Sequence, residues 1–466
     1  MHLRIEKIGG ENSAAIQETL EFIEKNRENG ISALYVFSAF RTSEYNTTTE
    51  LLATIAACQK GDIKISQEKF DQIRIFYRET LERVGLLDAS MSVFLDGLFA
   101  PYECAIEEFF HSGWATPTEE NDFSLGGLSF LGAGEVITTA IYERLLFGET
   151  RKGTIDPADR ISYSGLPKLL EGDHIALSPG YYQGLPGGII ATWGRGYSDA
   201  TATRIHDSVH ELFPDWILTL AIRKMYPICS ADPRRIDAHR VKKLDHISLK
   251  LLLEMIGTHG ASGQFINQNA ASPHFFENGG KLQIYTENDP LGSLVSLIGN
   301  PSEKGILFVQ SKAIHVFMIT SYQFNTPWYT EHIWHFFTRE GINIDNIVTS
   351  QTEMTITVAD KDLQWREIYP LRERLLQSLR EFESSSKISP EIRIEEYVNL
   401  YIGGENIDFP GILSRITAVL QKAVINIALM MQPLHPQVII IGVRKSDESR
   451  AIDCLHREFI EQTPIH

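Results

Sequence analysis

The chain has 466 residues, 43% of them hydrophobic and 22% charged, and a formal net charge of −17. That length predicts two to four domains, each able to bury a core. The acidic balance argues against nonspecific nucleic-acid and anionic-membrane binding, which need a basic surface, and no apolar run approaches a membrane span. The four cysteines, Cys58, Cys104, Cys229 and Cys454, are far apart and form no CxxC pair. They point to a reduced, cytoplasmic setting and away from a zinc site. The start Met1-His2-Leu3-Arg4-Ile5-Glu6 lacks the apolar core of a signal peptide.

Residues 3–8 alternate like a strand and end in Lys7-Ile8-Gly9-Gly10. Glycines at a strand end admit a phosphate, and a lysine there supplies a point charge; the same residues also suit a plain glycine turn. Glu11-Asn12-Ser13 then opens a helix over 14–29. Residues 33–39 form a short apolar run that reads as a buried parallel strand, with Ser38 at the edge where open α/β sheets bind ligands. Strand, helix, strand over 40 residues predicts α/β. Residues 50–87 are helical and amphipathic, and 89–113 are helical with a break expected near Pro101. Residues 134–146 form a further helix with Glu135 in its first turn. There it either complements the helix dipole or accepts a substrate ammonium.

The stretch from Gly180 to Asp199 is dense in glycine up to Gly196, then gives way to a helix-forming run. Ser198 or Asp199 is expected to cap that helix, where free N–H groups attract anions. Arg195, between two glycines, presents a planar fork that matches a carboxylate or phosphate. The site of a small anionic substrate is one reading; a turn with a surface arginine is the other. Residues 216–222 form another buried strand, followed by a proline-punctuated loop carrying Lys224, Tyr226, Asp232 and Arg234. Residues 247–257 are helical, and 280–296 return to strand alternation with a turn at Pro290-Leu291-Gly292.

The C-terminal third repeats itself. Strand 314–320, helix 328–340 and strand 353–358 are matched about 83 residues later by strand 398–402, helix 411–422 and strand 437–443. Each copy reads β-α-β-β-α-β, a ferredoxin-like pattern. It suits a paired small-ligand module with edge-to-edge sheets, or two structural domains used only for dimerisation.

Taken together these residues resemble the aspartokinases. Lys7-Ile8-Gly9-Gly10 is similar to the family's Lys-Phe-Gly-Gly, Val36-Phe37-Ser38-Ala39 to its Val-Val-Ser-Ala, and Thr49-Glu50-Leu51-Leu52 to its Thr-Asn/Asp-Leu-Leu. Gly134-Glu135 resembles its Gly-Glu helix. Gly194-Arg195-Gly196-Tyr197-Ser198-Asp199 resembles Gly-Arg-Gly-Gly-Ser-Asp, and Ser230-Ala231-Asp232-Pro233-Arg234 resembles Thr-Ala-Asp-Pro-Arg. The resemblance implies an amino-acid kinase αβα sandwich over 1–296, then ferredoxin-like ACT domains over 312–388 and 392–466. It implies transfer of the γ-phosphoryl group of ATP, with its Mg²⁺, to the β-carboxylate of L-aspartate. Lys7 and Asp199 would be catalytic, with Asp199 orienting Lys7. Ser38, Thr49, Glu135, Arg195 and Ser198 would hold the substrate. Gly9, Gly10, Lys224, Tyr226, Asp232 and Arg234 would lie toward the nucleotide. A homodimer and an amino-acid effector at the ACT pair, lysine or threonine by default, are also implied.

Several positions depart from the family pattern. Glu11-Asn12 stand where it has Thr-Ser, and 260–267 lack its nucleotide-side lysine and His-Pro. Lys224 stands where most members carry aspartate; with the Glu-Lys-Ile-Gly-Gly start, this is more similar to the ectoine-associated branch. The alternatives are a catalytically weak or inert amino-acid sensor or regulatory protein, and a kinase of another carboxylate.

Overall fold

The computed structural model describes all residues except 112–123, 126–127, 150–152, 172–173, 183–184, 186–188, 190–192, 194–195, 225, 256–272, 287, 300–304, 322–327, 364–367, 384–388, 406, 408–409, 432–436 and 462–466. The chain divides into two compact units. The first contains Met1–Ile228, Asp245–Ile256 and Phe265–Gly299; the second contains Cys229–Leu244 and Asn300–His466. Segment Cys229–Leu244 thus belongs with the second unit, although a boundary near 296 counts it in the first.

The first unit runs β1 (His2–Ile8), α1 (Gly10–Ala14), α2 (Ile16–Glu28), β2 (Ala33–Phe37), α3 (Thr47–Gln59), α4 (Ile63–Arg83) and α5 (Ala89–His111). A small hairpin, β3 (Ser124–Leu125) and β4 (Leu128–Ser129), precedes α6 (Ala133–Phe147), α7 (Arg160–Ser164), α8 (Leu166–Leu170), β5 (Ile175–Pro179) and α9 (Tyr197–Leu212). Then come β6 (Ile217–Arg223), β7 (His246–Ser248), α10 (Leu249–Met255), α11 (Pro273–Glu277), β8 (Leu282–Thr286) and β9 (Asp289–Ser296). The seven-stranded sheet has the order β5-β2-β1-β6-β8-β9-β7. The first five strands are parallel, and β9 runs antiparallel to β8.

Period-two alternation gives β1 two different faces. Ile8 joins a core with Tyr35, Phe37 and Leu177 of the sheet and Ile16, Leu51, Phe70, Phe99 and Ile137 of α2 to α6. Leu3, Ile5 and Lys7 point the other way, toward α9, whose Ala202, Ile205 and Val209 are buried. Helices on both faces of a mainly parallel sheet explain why β2 is buried along its whole length. Two local expectations are corrected. α5 runs through Pro101 without ending, the proline lying on an exposed side. Pro290-Leu291-Gly292 lies inside β9 and is not a turn; Gly292 takes φ 54° beside a register shift in the β8–β9 ladder.

The second unit runs β10 (Phe308–Thr320), α12 (Tyr329–Arg339), β11 (Asn346–Thr349), β12 (Glu353–Ala359), α13 (Asp360–Leu363) and α14 (Ile368–Phe382). It repeats as β13 (Glu391–Gly403), α15 (Ile412–Lys422), β14 (Leu429–Met431), β15 (Val438–Arg444) and α16 (Glu448–His456). All six strands form one antiparallel sheet, β11-β12-β10-β13-β15-β14. The expected sixth element of each repeat is not its own. β10 and β13, 13 residues each, pair along their whole lengths, and each lends half of itself to the other repeat. Phe317 and Ile319 join Ile392 in the first core, whereas Val309 joins Val398, Leu400 and Ile402 in the second.

Cys229–Leu244 is bonded into this unit. Ser230 O accepts from Val309 N (2.8 Å), Ser230 Oγ bonds His456 Nε2 (2.9 Å), and Arg235 pairs with Glu448 (2.9 Å).

Candidate active site

The site gathers at the C-terminal ends of β1, β2 and β6, the edge at which open parallel sheets bind ligands. β1 delivers Lys7 there and α9 delivers Asp199; Lys7 Nζ and Asp199 Oδ1 are 2.8 Å apart. Lys224 stands one residue past β6 and reaches the same carboxylate, 2.9 Å from Oδ2 and 3.3 Å from Oδ1. Two ammonium groups therefore share one carboxylate. Burial works against ionised Asp199, but Lys224 and Lys7 outweigh it and hold the carboxyl at about 2. Burial pulls Lys7 down to about 8, with Asp199 opposing and the charge of Lys224 adding to the depression.

Gly196 occupies the N-cap of α9 at φ 83°, left-handed backbone that favours glycine. Ser198 and Asp199 consequently stand inside the first turn and are not the cap. Ser198 Oγ bonds Ser38 Oγ at 2.8 Å. Close approach explains two further glycines. A Cβ on Gly10 would fall 2.6 Å from Ala39 O, and one on Gly180 would fall 2.6 Å from Phe37 O and 2.7 Å from Ser198 Cβ.

Glu135 lies in the first turn of α6, 2% exposed. Tyr197 OH donates to its Oε1 at 2.9 Å, while Oε2 is buried without a hydrogen-bond partner. Burial raises its carboxyl to about 7 despite that hydrogen bond and the nearby Lys7. A carboxylate with one committed and one open oxygen is a ready acceptor for a cationic donor. Glu11, the unexpected charge after the glycines, pairs with Arg41 at 3.6 Å.

No protein-family model matches the chain, and no curated protein matches it by sequence. Solved structures do. The aspartate kinase of Clostridium acetobutylicum is 18% identical with a TM-score of 0.69, over 98% of this chain and 100% of that one. E. coli aspartokinase III in complex with lysine and aspartate (T-state) is 18% identical with a TM-score of 0.71, over 98% and 99% of the two chains. The same enzyme with aspartate and ADP (R-state) gives 18% and 0.69 over the same shares. The chain has the aspartate kinase fold. Its αβα sandwich and ACT pair are those expected from the sequence.

Within the aspartate kinase fold, the structure brings together Lys7, Ser38, Ser198, Asp199 and Lys224, with Gly9 and Gly10 following β1 and Glu135 near enough to bias Lys7. Arg195 lies outside the described residues, as does 260–267. Thr49 is exposed in the first turn of α3, its amide donating to Asn46 Oδ1 at 3.2 Å. Tyr226 is 37% exposed. Asp232 and Arg234 belong to the second unit, where they form a two-pronged pair with each other (3.0 and 2.9 Å). Sequence reasoning missed Tyr197, whose hydroxyl donates to Glu135 Oε1. The available signal was a tyrosine, with its one donor, where the family motif has glycine.

Proposed function

We propose that the protein is an aspartate kinase, transferring the γ-phosphoryl group of ATP to the β-carboxylate of L-aspartate to give 4-phospho-L-aspartate. The observation that carries this reading is the Lys7–Asp199–Lys224 cluster beside the open oxygen of Glu135, in a fold shared with an enzyme solved with aspartate and ADP.

A carboxylate oxygen of the substrate bonds to the γ-phosphorus while the bond to the bridging oxygen breaks, its electron pair leaving on ADP. The attacking carboxylate is already ionised at neutral pH, so no general base is needed. The work left to the protein is positioning and charge neutralisation. Lys7 meets the charge of the transferring group, and Asp199 fixes the lysine. The backbone at Gly9 and Gly10 leaves room for the phosphates, which arrive as the Mg²⁺ complex of ATP. Glu135 Oε2 takes the substrate ammonium, Ser38 and Ser198 bond the substrate, and Arg195 clamps a substrate carboxylate. Tyr226 stands on the nucleotide side. We further propose an amino-acid effector at the ACT pair, a homodimer and a cytoplasmic location, in aspartate-family or ectoine biosynthesis.

The Glu11–Arg41 pair weakens the case for an inert sensor, because the added negative charge has a cation beside it. Glu135 favours an amine-bearing substrate over other carboxylates. ATP- and Mg²⁺-dependent acyl phosphate, trapped with hydroxylamine, tests the reading. Hydroxamate that requires L-aspartate supports it; none, from folded protein that binds no ATP, rejects it.

A further inference from the structure

We infer that Lys224 is a second phosphoryl-binding cation, forming with Lys7 a two-ammonium clamp on the γ-phosphate that Asp199 holds in register. The inference deepens the kinase reading above and rests on it.

The strands set the geometry. β1 and β6 are adjacent and parallel, with Lys7 opposite Ile222, so Lys224 emerges at the same sheet edge just past its own strand. Both ammonium groups contact Asp199 Oδ1, at 2.8 and 3.3 Å. The two nitrogens therefore lie within about 6 Å of each other, the span of two hydrogen bonds through one oxygen.

Two cations on one carboxylate suit an anionic ligand. Lys7 alone would neutralise Asp199 and satisfy its orientation. A second lysine sets a like charge beside Lys7 where water is largely excluded, and like charges at that separation repel. Glu135, the other acid felt at Lys7, offsets part of this repulsion while its Oε1 accepts from Tyr197. An anion with several oxygens, set between the two lysines, relieves the repulsion. A phosphoryl group in transfer spreads negative charge over its equatorial oxygens, so two cations at different angles suit it better than one. The side chain of Lys224 is 15% exposed against 5% for Lys7, so Lys224 is the more accessible of the two to an arriving ligand. As the acceptor carboxylate bonds phosphorus and ADP departs with the electron pair of the broken bond, the clamp follows the phosphoryl group from donor to acceptor.

The test compares the full-length wild type with Lys224→Met and Lys224→Arg. Steady-state kinetics are run from pH 6 to 10, and equilibrium binding is measured for Mg·ADP and for the non-hydrolysable Mg·AMP-PNP. Lys224→Met is expected to lower kcat about 100-fold, the usual size of a lost transition-state donor, with little change in KM for ATP. Its preference for AMP-PNP over ADP should shrink, and Lys224→Arg should restore most of both. The alkaline limb of kcat should move to higher pH in Lys224→Met, because Lys7 no longer faces a second positive charge. A kcat and a triphosphate preference both within about threefold of wild type in Lys224→Met would overturn the inference. A wild type that binds nucleotide but makes no aspartyl hydroxamate would overturn the kinase reading instead. The binding arm would still judge Lys224 as a γ-phosphate ligand.

Discussion

Burying Lys7 works against the fold. Its ammonium sits at about 8, against 10.5 for an ordinary lysine. Between those values the unfolded chain holds the proton more tightly, so stability is lowest below pH 8 and recovers as pH rises toward 10.5. The penalty is about 3 kcal/mol at 1.36 kcal/mol per pH unit. Lys7→Met should therefore lower kcat by about 10²–10³-fold while the melting temperature holds or rises. Near-normal turnover, or a large drop in melting temperature, would count against the assigned role. Glu135 obeys the same logic with the opposite charge. Its raised carboxyl makes the folded state lose stability as pH climbs from 4.5 to about 7, with no further loss above. Only the ionised form pairs with an ammonium, so kcat/KM for aspartate should fall as pH drops below about 7. Glu135→Gln should raise KM for aspartate about 10- to 100-fold, the range of a lost charge-assisted hydrogen bond, and leave KM for ATP in place. A shift confined to ATP would move Glu135 to the nucleotide side.

At the scale of elements, the site depends on how closely the first glycines approach the end of β2. A methyl on Gly10 meets a backbone oxygen and, at 3.0 Å, Arg41 Cβ, so no side-chain rotation relieves it. Gly10→Ala should cost about 1–3 kcal/mol, as overpacking usually does, and loosen nucleotide binding. Urea unfolding gives the first quantity and ADP titration the second; an unchanged midpoint would show that the loop yields freely. Much of this level was legible in the sequence. The strand ends at Lys7, Ser38 and Lys224 and the helix starts at Glu135 and Asp199 follow from periodicity and from glycines at the switch points. Partnership was less legible. Nothing local says that Lys224 reaches Asp199, or that Tyr197 reaches Glu135 across 62 residues. The cap falls at Gly196 and not at Ser198 or Asp199, because the glycine takes left-handed backbone just before the helix begins. α5 continues past Pro101 because a proline whose ring faces water interrupts a long helix less than its propensity suggests.

At the scale of the whole molecule, the repeats were visible as two copies, but their exchange of strands was not, because local periodicity carries no information about which edge a long strand pairs with. β10 and β13 serve both cores, so neither repeat is complete alone. Ending the chain at residue 390 should leave β10 with an unpaired edge and the first core without Ile392, and the product should aggregate. In the intact protein the two repeats should melt in one transition; two resolved transitions within this unit, by calorimetry of the full chain, would contradict the shared-strand account.

The same exchange separates a mutation's address from its effect. A cavity cut at Val309, early in the unit, falls in the downstream core, and one cut at Ile392 falls in the upstream core. On the ribosome the consequence is a delay. The first repeat emerges with every helix in hand and still waits, hydrophobic edge exposed, until the opening strand of its neighbour has been made.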